Sequence, residues 1–461
     1  MAQQPAALFL TVCIAIPAAI GKPNILFILA DDLGVMDVGF MGDQRYDTPN
    51  LDRLAAEGIV FTEAYAPASN CAPSRAAILS GKVAPRTGVY TVNSSERGRT
   101  KDRKLIPTPN TLYLSDDIVT IADVLKAEGY TTGQIGKWHV SEDPKQQGIG
   151  VNIAGTALGY SKSYFSPYKN PALKDGPTGE YLTDRLTDEA ISFIDLRKSA
   201  PFFLYLPYYT VHTPLQARED LLVRYEGRED LNPTYAAMVA ALDKNVGRLL
   251  RYLEQSGLSE NTLVVFSSDN GGVTKFSSQD PYRSGKGSYY EGGIRVPLTI
   301  RWPGTIDPGS QSSIPVTGLD LYPTFIEATG GPALLHRSTD NATDGVSLMP
   351  LITGSGDIPE RALFWHFPIY LDSKGTADAR DPLFRTRPGS VMRLGDWKLH
   401  EFFEDGGLEL FNLNDDVGER HNLVDKHPDK LTELHDMLIV WRKEVGAPVP
   451  AKLNPEYRAP W

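Results

Sequence analysis

Cysteine is almost absent: the 461 residues hold 2, Cys13 and Cys71. That excludes a disulfide-built scaffold. An excess of positive charge is missing as well. Against 57 Asp and Glu stand 46 Lys and Arg, a formal net charge of −11, which argues against nucleic acid or an anionic membrane surface as the main partner. Repeats and low-complexity tracts are lacking. No two histidines have the i, i+4 spacing of a helical zinc site. Neither Gly136-Lys137 nor Gly285-Lys286-Gly287 sits in the G-x-x-x-x-G-K-[ST] frame of a phosphate loop. One apolar run is long, residues 6–20 (AALFLTVCIAIPAAI), and it is too short to span a bilayer comfortably. With the small residues Ala18, Ala19 and Gly21 at its end, it reads as a secretory signal peptide over residues 1–21. The mature protein is then exported, periplasmic or secreted, with no membrane span. A lipoprotein reading of Leu10-Thr11-Val12-Cys13 ranks below simple export, because Val before the cysteine fits poorly. Once Cys13 is removed, Cys71 stands alone. A lone cysteine in an exported chain forms no internal disulfide and needs another explanation.

What is present is an alternation of apolar strands with amphipathic helices, the pattern of an α/β fold with a largely parallel sheet. Residues 24–29 (NILFIL) make a doubly buried strand. Thr48-Pro49 opens a helix as N-cap and N1, and Gly58 ends it. Helices are expected over 120–128, 180–198 and 233–256, and strands over 130–135, 202–206, 262–266 and 296–301. After Gly354 the rhythm changes to short strands at 362–367, 390–394, 397–402 and 408–412, closed by a helix over 429–445. The expected organisation is a main domain over 22–354 and a smaller antiparallel sheet with one helix over 355–461. A chain of this length accommodates both.

Chemistry gathers where strands end. In open parallel sheets ligands bind beyond the carboxyl ends of the strands. The first strand runs into Asp31-Asp32, another delivers Lys137-Trp138-His139, a third leads to His212, and a fourth to Asp269-Asn270. A single polar residue after a strand is usually a turn or cap residue; four such ends at one sheet edge form a site. Asp31, Asp32, Asp269 and Asn270 are oxygen donors, which suit Ca2+ or Mg2+ rather than Zn2+. Adjacent carboxylates repel unless a cation compensates them. Cys71 lies beside an expected helix N-terminus, with Pro73 in its first turn and Gly81 at its end. An anion is favoured there, and Arg75 is one turn away.

The segment Cys71-Ala-Pro-Ser-Arg75 with Leu79-Ser80-Gly81 resembles the C-x-P-S-R signature of the formylglycine-dependent sulfatases. The likeness runs through nearly the whole mature chain, in NILFILADDLG (24–34), TPNLDRLAAEG (48–58), GKWH (136–139), VHTP (211–214), SDNG (268–271) and GKGSYYEGGIRVP (285–297). It implies an alkaline-phosphatase-like core with a small C-terminal subdomain. It also implies that a formylglycine-generating enzyme converts Cys71 to formylglycine (3-oxoalanine). The hydrated aldehyde would supply the nucleophile, and the sulfated hemiacetal would collapse by C–O cleavage. By the same resemblance Asp31, Asp32, Cys71, Asp269 and Asn270 hold Ca2+, in preference to Mg2+. Arg75 fixes the hydrate and His139 takes its second proton. Lys137 and Lys286 grip the sulfate, and His212 serves the leaving oxygen as general acid.

The implied substrate is a sulfated saccharide, with a galactose or N-acetylgalactosamine sulfate favoured, acted on by a monomer or homodimer. Two alternatives stand beside it: a phosphonate or phosphate ester hydrolase of the same superfamily, and an inactive carbohydrate-binding relative. His366 is expected to contact the saccharide. On an expected strand, Trp365 and Phe367 point one way and His366 the other. If the aromatic pair packs the subdomain, His366 faces the pocket mouth.

Overall fold

The structure, a computed structural model, describes residues 21–331, 343–372, 378–380 and 382–459. Nearly all of the expected signal peptide, including Cys13, lies outside the described residues. Among those described, no helix is long and apolar enough to cross a membrane.

The main sheet has eight strands: β1 (Asn24–Ala30), β2 (Ile59–Phe61), β3 (Thr131–Ile135), β4 (Val151–Ile153), β5 (Phe202–Pro207), β6 (Thr262–Ser268), β7 (Leu298–Arg301) and β8 (Ser310–Ser312). Their order is β4-β3-β5-β1-β6-β7-β2-β8. The first five in that order are parallel, and β7 alone runs antiparallel to both of its neighbours. The sheet is therefore mixed but largely parallel. β1 lies at its centre and is buried along its whole length. Its period of two splits it between two cores. Leu26, Ile28 and Ala30 join one core with the helices Pro49–Ala56, Leu182–Asp195 and Pro233–Gln255. Ile25, Phe27 and Leu29 join the other, with Cys71–Ser80, Ile121–Ala127 and Leu321–Ala328. A strand buried on both faces reads as a continuous apolar run, as 24–29 does.

Local side chains cap some helix starts and leave others uncapped. Asn232 caps Pro233–Gln255 by accepting from Tyr235 N, with Pro at the first position. Thr48 makes no such cap. Its hydroxyl accepts from Gly39 N, and the first-turn N–H groups of Asn50 and Leu51 donate instead to Asp243 on the long helix. A tertiary carboxylate thus replaces the local cap.

Beyond the main sheet, β9 (Leu363–Phe367), β10 (Leu371–Asp372), β11 (Phe384–Thr386), β12 (Gly389–Leu394), β13 (Trp397–Phe402) and β14 (Gly407–Asn412) follow. β9-β12-β13-β14 form an antiparallel sheet, and β10 and β11 a two-stranded ribbon. The helix Pro428–Glu444 covers one face of the four-stranded sheet, where Leu434, Leu438 and Trp441 meet Met392, Leu399 and Leu410. The other face docks on the main body: Trp365, Phe367 and Val391 pack with Tyr65, Tyr289 and Ile294.

A buried ionic network stitches the two bodies together. Lys398 Nζ lies 2.8 Å from Glu291 Oε1 and 3.0 Å from Glu419 Oε1, and none of the three side chains is exposed. His400 Nε2 is 2.9 Å from Glu419, and Arg295 Nη1 is 3.1 Å from Glu291. Removing one member leaves buried carboxylates short of a partner. Lys398→Ala should therefore cost about 3–5 kcal/mol of unfolding free energy. Urea denaturation followed by fluorescence measures it, and a change within the range of an ordinary surface substitution would contradict the role assigned to the network.

Candidate active site

Four adjacent parallel strands, β3, β5, β1 and β6, end at one edge, and every strand-end residue singled out in the sequence is there. Backbone bonds tie the ends together. Lys137 N donates to Pro207 O at 2.7 Å, Asp31 N to Thr210 O at 3.0 Å, Val211 N to Asp31 O at 2.8 Å and Asp269 N to Ala30 O at 3.2 Å. Asp32 and His139 both have positive φ, 62° and 60°. Apart from glycine, Asp, Asn and His are the residues most often found there, and such strain gathers at functional sites.

Cys71 is the first residue of the Cys71–Ser80 helix, not the residue before it, and Asn70 is the N-cap. Its Sγ lies 3.7 Å from Asp31 Oδ1, 3.9 Å from Asp32 Oδ1 and 3.2 Å from Lys286 Nζ. Burial pushes the thiol up to about 11, against the opposing pull of Lys137 and Lys286. The unmodified side chain is thus a poor nucleophile, since the thiolate is the reactive form.

Three cations, the buried Arg75 and Lys137 and the partly buried Lys286, face three buried carboxylates. Lys137 Nζ donates to both oxygens of Asp31, at 2.8 and 2.7 Å. Arg75 Nε donates to Asp269 Oδ2 at 2.8 Å and its Nη1 to Lys137 O at 3.0 Å. Lys286 pairs with Asp32. Burial raises Asp31 despite Lys137, whereas for Asp32 the effect of burial is outweighed by Lys286, His212 and Lys137, and its carboxyl is held well below the usual range.

The side chains gathered here could hold a metal ion. One ligand atom each from Asp31, Asp32, Cys71 and His212 lies within 4.8 Å of the others. Asn270 Oδ1 is buried with no hydrogen-bond partner, while its Nδ2 donates to Asp32 Oδ1 at 2.9 Å. Asp269 belongs to the same cluster through Arg75 and through Asp32 N, which donates to its Oδ1 at 3.2 Å.

A cavity of about 320 Å³ opens over these groups, lined in part by Cys71, His139, His212 and Lys286. Lys137 lies beneath it and is fully buried. His139 has a buried Nδ1 with no partner. Its ring fits because residue 159 is glycine: a Cβ there would come 2.2 Å from His139 Cε1. Burial, then Lys137 and Arg75, push His139 well below its ordinary value, so the ring is a neutral proton acceptor. His212 Nδ1 is 2.7 Å from Thr213 O, and its Nε2 is 3.8 Å from Asp32 Oδ2. Burial lowers it against the pull of Asp31 and Asp32.

His366 does not join them. The alternation along β9 has the expected parity, but the faces are exchanged. Trp365 and Phe367 dock the sheet onto the main body; Phe367 stacks on Tyr289 with centroids 3.8 Å apart, and Trp365 Nε1 donates to Ala66 O. His366 is 3% exposed under the C-terminal helix. Its Nδ1 is 2.8 Å from Ser390 Oγ and its Nε2 2.9 Å from Pro448 O. It is a satisfied core histidine and lines no part of the cavity. Conversely, the wall residues Arg97, Gly159, Tyr160 and Arg385 had no motif to mark them in the sequence.

The sulfatase family model matches residues 23–331, and a second model, described as N-sulphoglucosamine sulphohydrolase, C-terminal, matches residues 285–444. A sulfatase of Formosa agariphila is 34% identical over 511 aligned positions, spanning 93% of this chain and 90% of its own. The N-acetylgalactosamine-6-sulfatase of Mus musculus is 32% identical over 373, spanning 75% and 68%. Among solved structures, Ps i-CgsB in complex with k-i-k-neocarrahexaose matches with a TM-score of 0.76 at 30% identity, covering 94% of this chain and 95% of that one. The chain therefore belongs to the sulfatase family, on its alkaline-phosphatase-like fold. It is a sulfuric ester hydrolase.

Burial pushes His366 down to about 4, against the hydrogen bond to Pro448 O. The folded protein thus keeps the ring neutral, while the unfolded chain takes up the proton near pH 6.5. The His366 contribution to stability is lost as pH drops from about 6.5 to about 4, about 3 kcal/mol in all. His366→Gln should flatten the acid limb of unfolding free energy against pH in that window, measured by urea denaturation. Parallel curves for variant and parent would contradict this.

Proposed function

We propose that the enzyme removes sulfate from a saccharide, using a formylglycine made from Cys71 and a Ca2+ ion held by Asp31, Asp32, Asp269, Asn270 and residue 71. The observation that carries this reading is the position of Cys71. It lies at the floor of the cavity, on the first turn of a helix, between two carboxylates and Lys286. A buried thiol pushed up to about 11 gains nothing from that position as a thiol; a hydrated aldehyde there supplies a hydroxyl nucleophile. Bound Ca2+ would act as a Lewis acid and acidify that hydroxyl.

The remaining roles follow from what each side chain touches. Arg75, locked onto Asp269, holds its charge beside residue 71 and cannot turn away. Lys286, at the cavity floor, meets the sulfate oxygens; Lys137 adds positive potential from below through Asp31. The unpartnered Nδ1 of neutral His139 accepts the proton that residue 71 releases. His212 lines the cavity and donates to the leaving oxygen. An arriving anion raises its affinity for a proton, which burial, Lys286 and Lys137 hold down.

A carbohydrate substrate is supported by the relatives. One is named for N-acetylgalactosamine 6-sulfate, and another is solved with a neocarrahexaose. A galactose or N-acetylgalactosamine sulfate is the favoured residue. Maturation by a formylglycine-generating enzyme and export to the periplasm or beyond belong to the same reading. Export rests on residues 6–20, outside the described residues.

Cys71→Ala tests it. Turnover of sulfate esters should vanish with an unchanged melting temperature, because the helix is held by Ala72, Ile78 and Leu79 in the core. In the active parent, the peptide containing residue 71 should weigh about 18 Da less than its cysteine form. Retained turnover in the variant, or an active parent whose residue 71 is wholly cysteine, would overturn the formylglycine reading.

A further inference from the structure

The cavity floor is occupied by the groups described above; its wall holds a cation with no partner among the described residues. On β11, Phe384 and Thr386 are buried, and Arg385 between them turns the other way, into the cavity. Its stem crosses Gly287, the residue after Lys286. Gly287 has φ +89°, and a Cβ there would lie 2.7 Å from Arg385 Cδ and 2.7 Å from Leu371 Cδ2. The glycine therefore leaves a path for the arginine beside the sulfate-binding lysine.

Among the described residues, Arg385 makes no hydrogen bond or ion pair, and its Nε is buried without a partner. The acids that act on it, Asp372 and Asp32, are committed elsewhere. Asp372 pairs with Arg97 at 3.4 Å, and Asp32 pairs with Lys286. A guanidinium stays charged and presents its donors in a planar fork that matches carboxylate and sulfate geometry. A buried donor left without an acceptor is destabilising. A neutral hydroxyl would satisfy one arm of the fork; an oxyanion satisfies two and also meets the charge. Arg97 lies on the same wall, its charge already met by Asp372.

We propose that Arg385 binds a second oxyanion of the substrate, a sulfate ester or a carboxylate close to the sulfate being removed, so that the enzyme selects saccharides carrying two anionic groups. This rests on the function proposed above and specifies its substrate class.

Sulfate release should be measured for the mature enzyme and for Arg385→Ala, Arg385→Gln and Arg385→Lys. The substrates are nitrophenyl sulfate, the galactose and N-acetylgalactosamine monosulfates and disulfates, and monosulfated disaccharides of these sugars with a uronic acid. The parent should favour a doubly anionic saccharide over its monosulfate. Arg385→Ala should cut that preference about tenfold, chiefly through KM, and Arg385→Lys should restore part of it. A response confined to disulfates assigns a sulfate, and one confined to uronides assigns a carboxylate. If Arg385→Ala melts lower than the parent, Arg385→Gln carries the comparison. A parent without the preference, a preference that survives loss of the guanidinium, or an equal loss on every substrate including nitrophenyl sulfate would overturn the inference. A parent that releases sulfate from none of these compounds would overturn the proposed function instead.

Discussion

Buried charge of both signs, packed where four parallel strands end, is the constraint on which the rest of this molecule depends. Asp31, Asp32 and Asp269 are all nearly or fully removed from water. Carboxylates in that state must be paired and hydrogen-bonded or the fold fails. Each compensating cation comes from a different part of the chain: Arg75 from the Cys71–Ser80 helix, Lys137 from the loop after β3, Lys286 from the loop beyond β6. No short segment can assemble the cluster, so a formed sheet edge and a formed site are one event. Without a bound ion the three carboxylates and three cations balance. A bound divalent cation would tip the balance positive, the state that would favour an anionic ester in a chain whose net charge is −11.

The C-terminal sheet is more than an appendage. Glu291 closes the 285–291 segment that carries Lys286, and it is gripped by Lys398 of β13, while Glu291 N donates to Glu419. The aromatic face of β9 fixes the same segment through Tyr289. The position of the cavity lysine is thus referred to a sheet more than a hundred residues away in sequence. The same body supplies Arg385 to the cavity wall. Floor chemistry belongs to the main sheet, and wall chemistry belongs in part to the C-terminal ribbon.

Much of this was legible in the sequence because it is local. The doubly apolar run at 24–29, the Pro73 and Gly81 signals around the Cys71 helix, and the polar residues after four strands are short-range patterns, and the structure gathers those strand ends at one edge. What was not legible depends on tertiary partners. Thr48 has the composition of an N-cap, but Asp243 from another helix takes the first-turn donors. β2 and β8 are three residues each, too short for period two to declare itself. For His366, alternation gives parity but not which face meets which body; both faces of β9 are buried, so the histidine went under the helix and the aromatics to the interface. Arg385 carries no motif, and only its passage across Gly287 reveals it.

In the proposed reaction residue 71 attacks the sulfur of a sulfate ester. The most direct measurement compares kcat/KM of the mature enzyme on nitrophenyl sulfate and nitrophenyl phosphate, which share a leaving group. The account predicts a clear preference for the sulfate, with both activities lost together in Cys71→Ala. A higher kcat/KM on the phosphate would contradict it and favour a phosphate or phosphonate ester hydrolase instead.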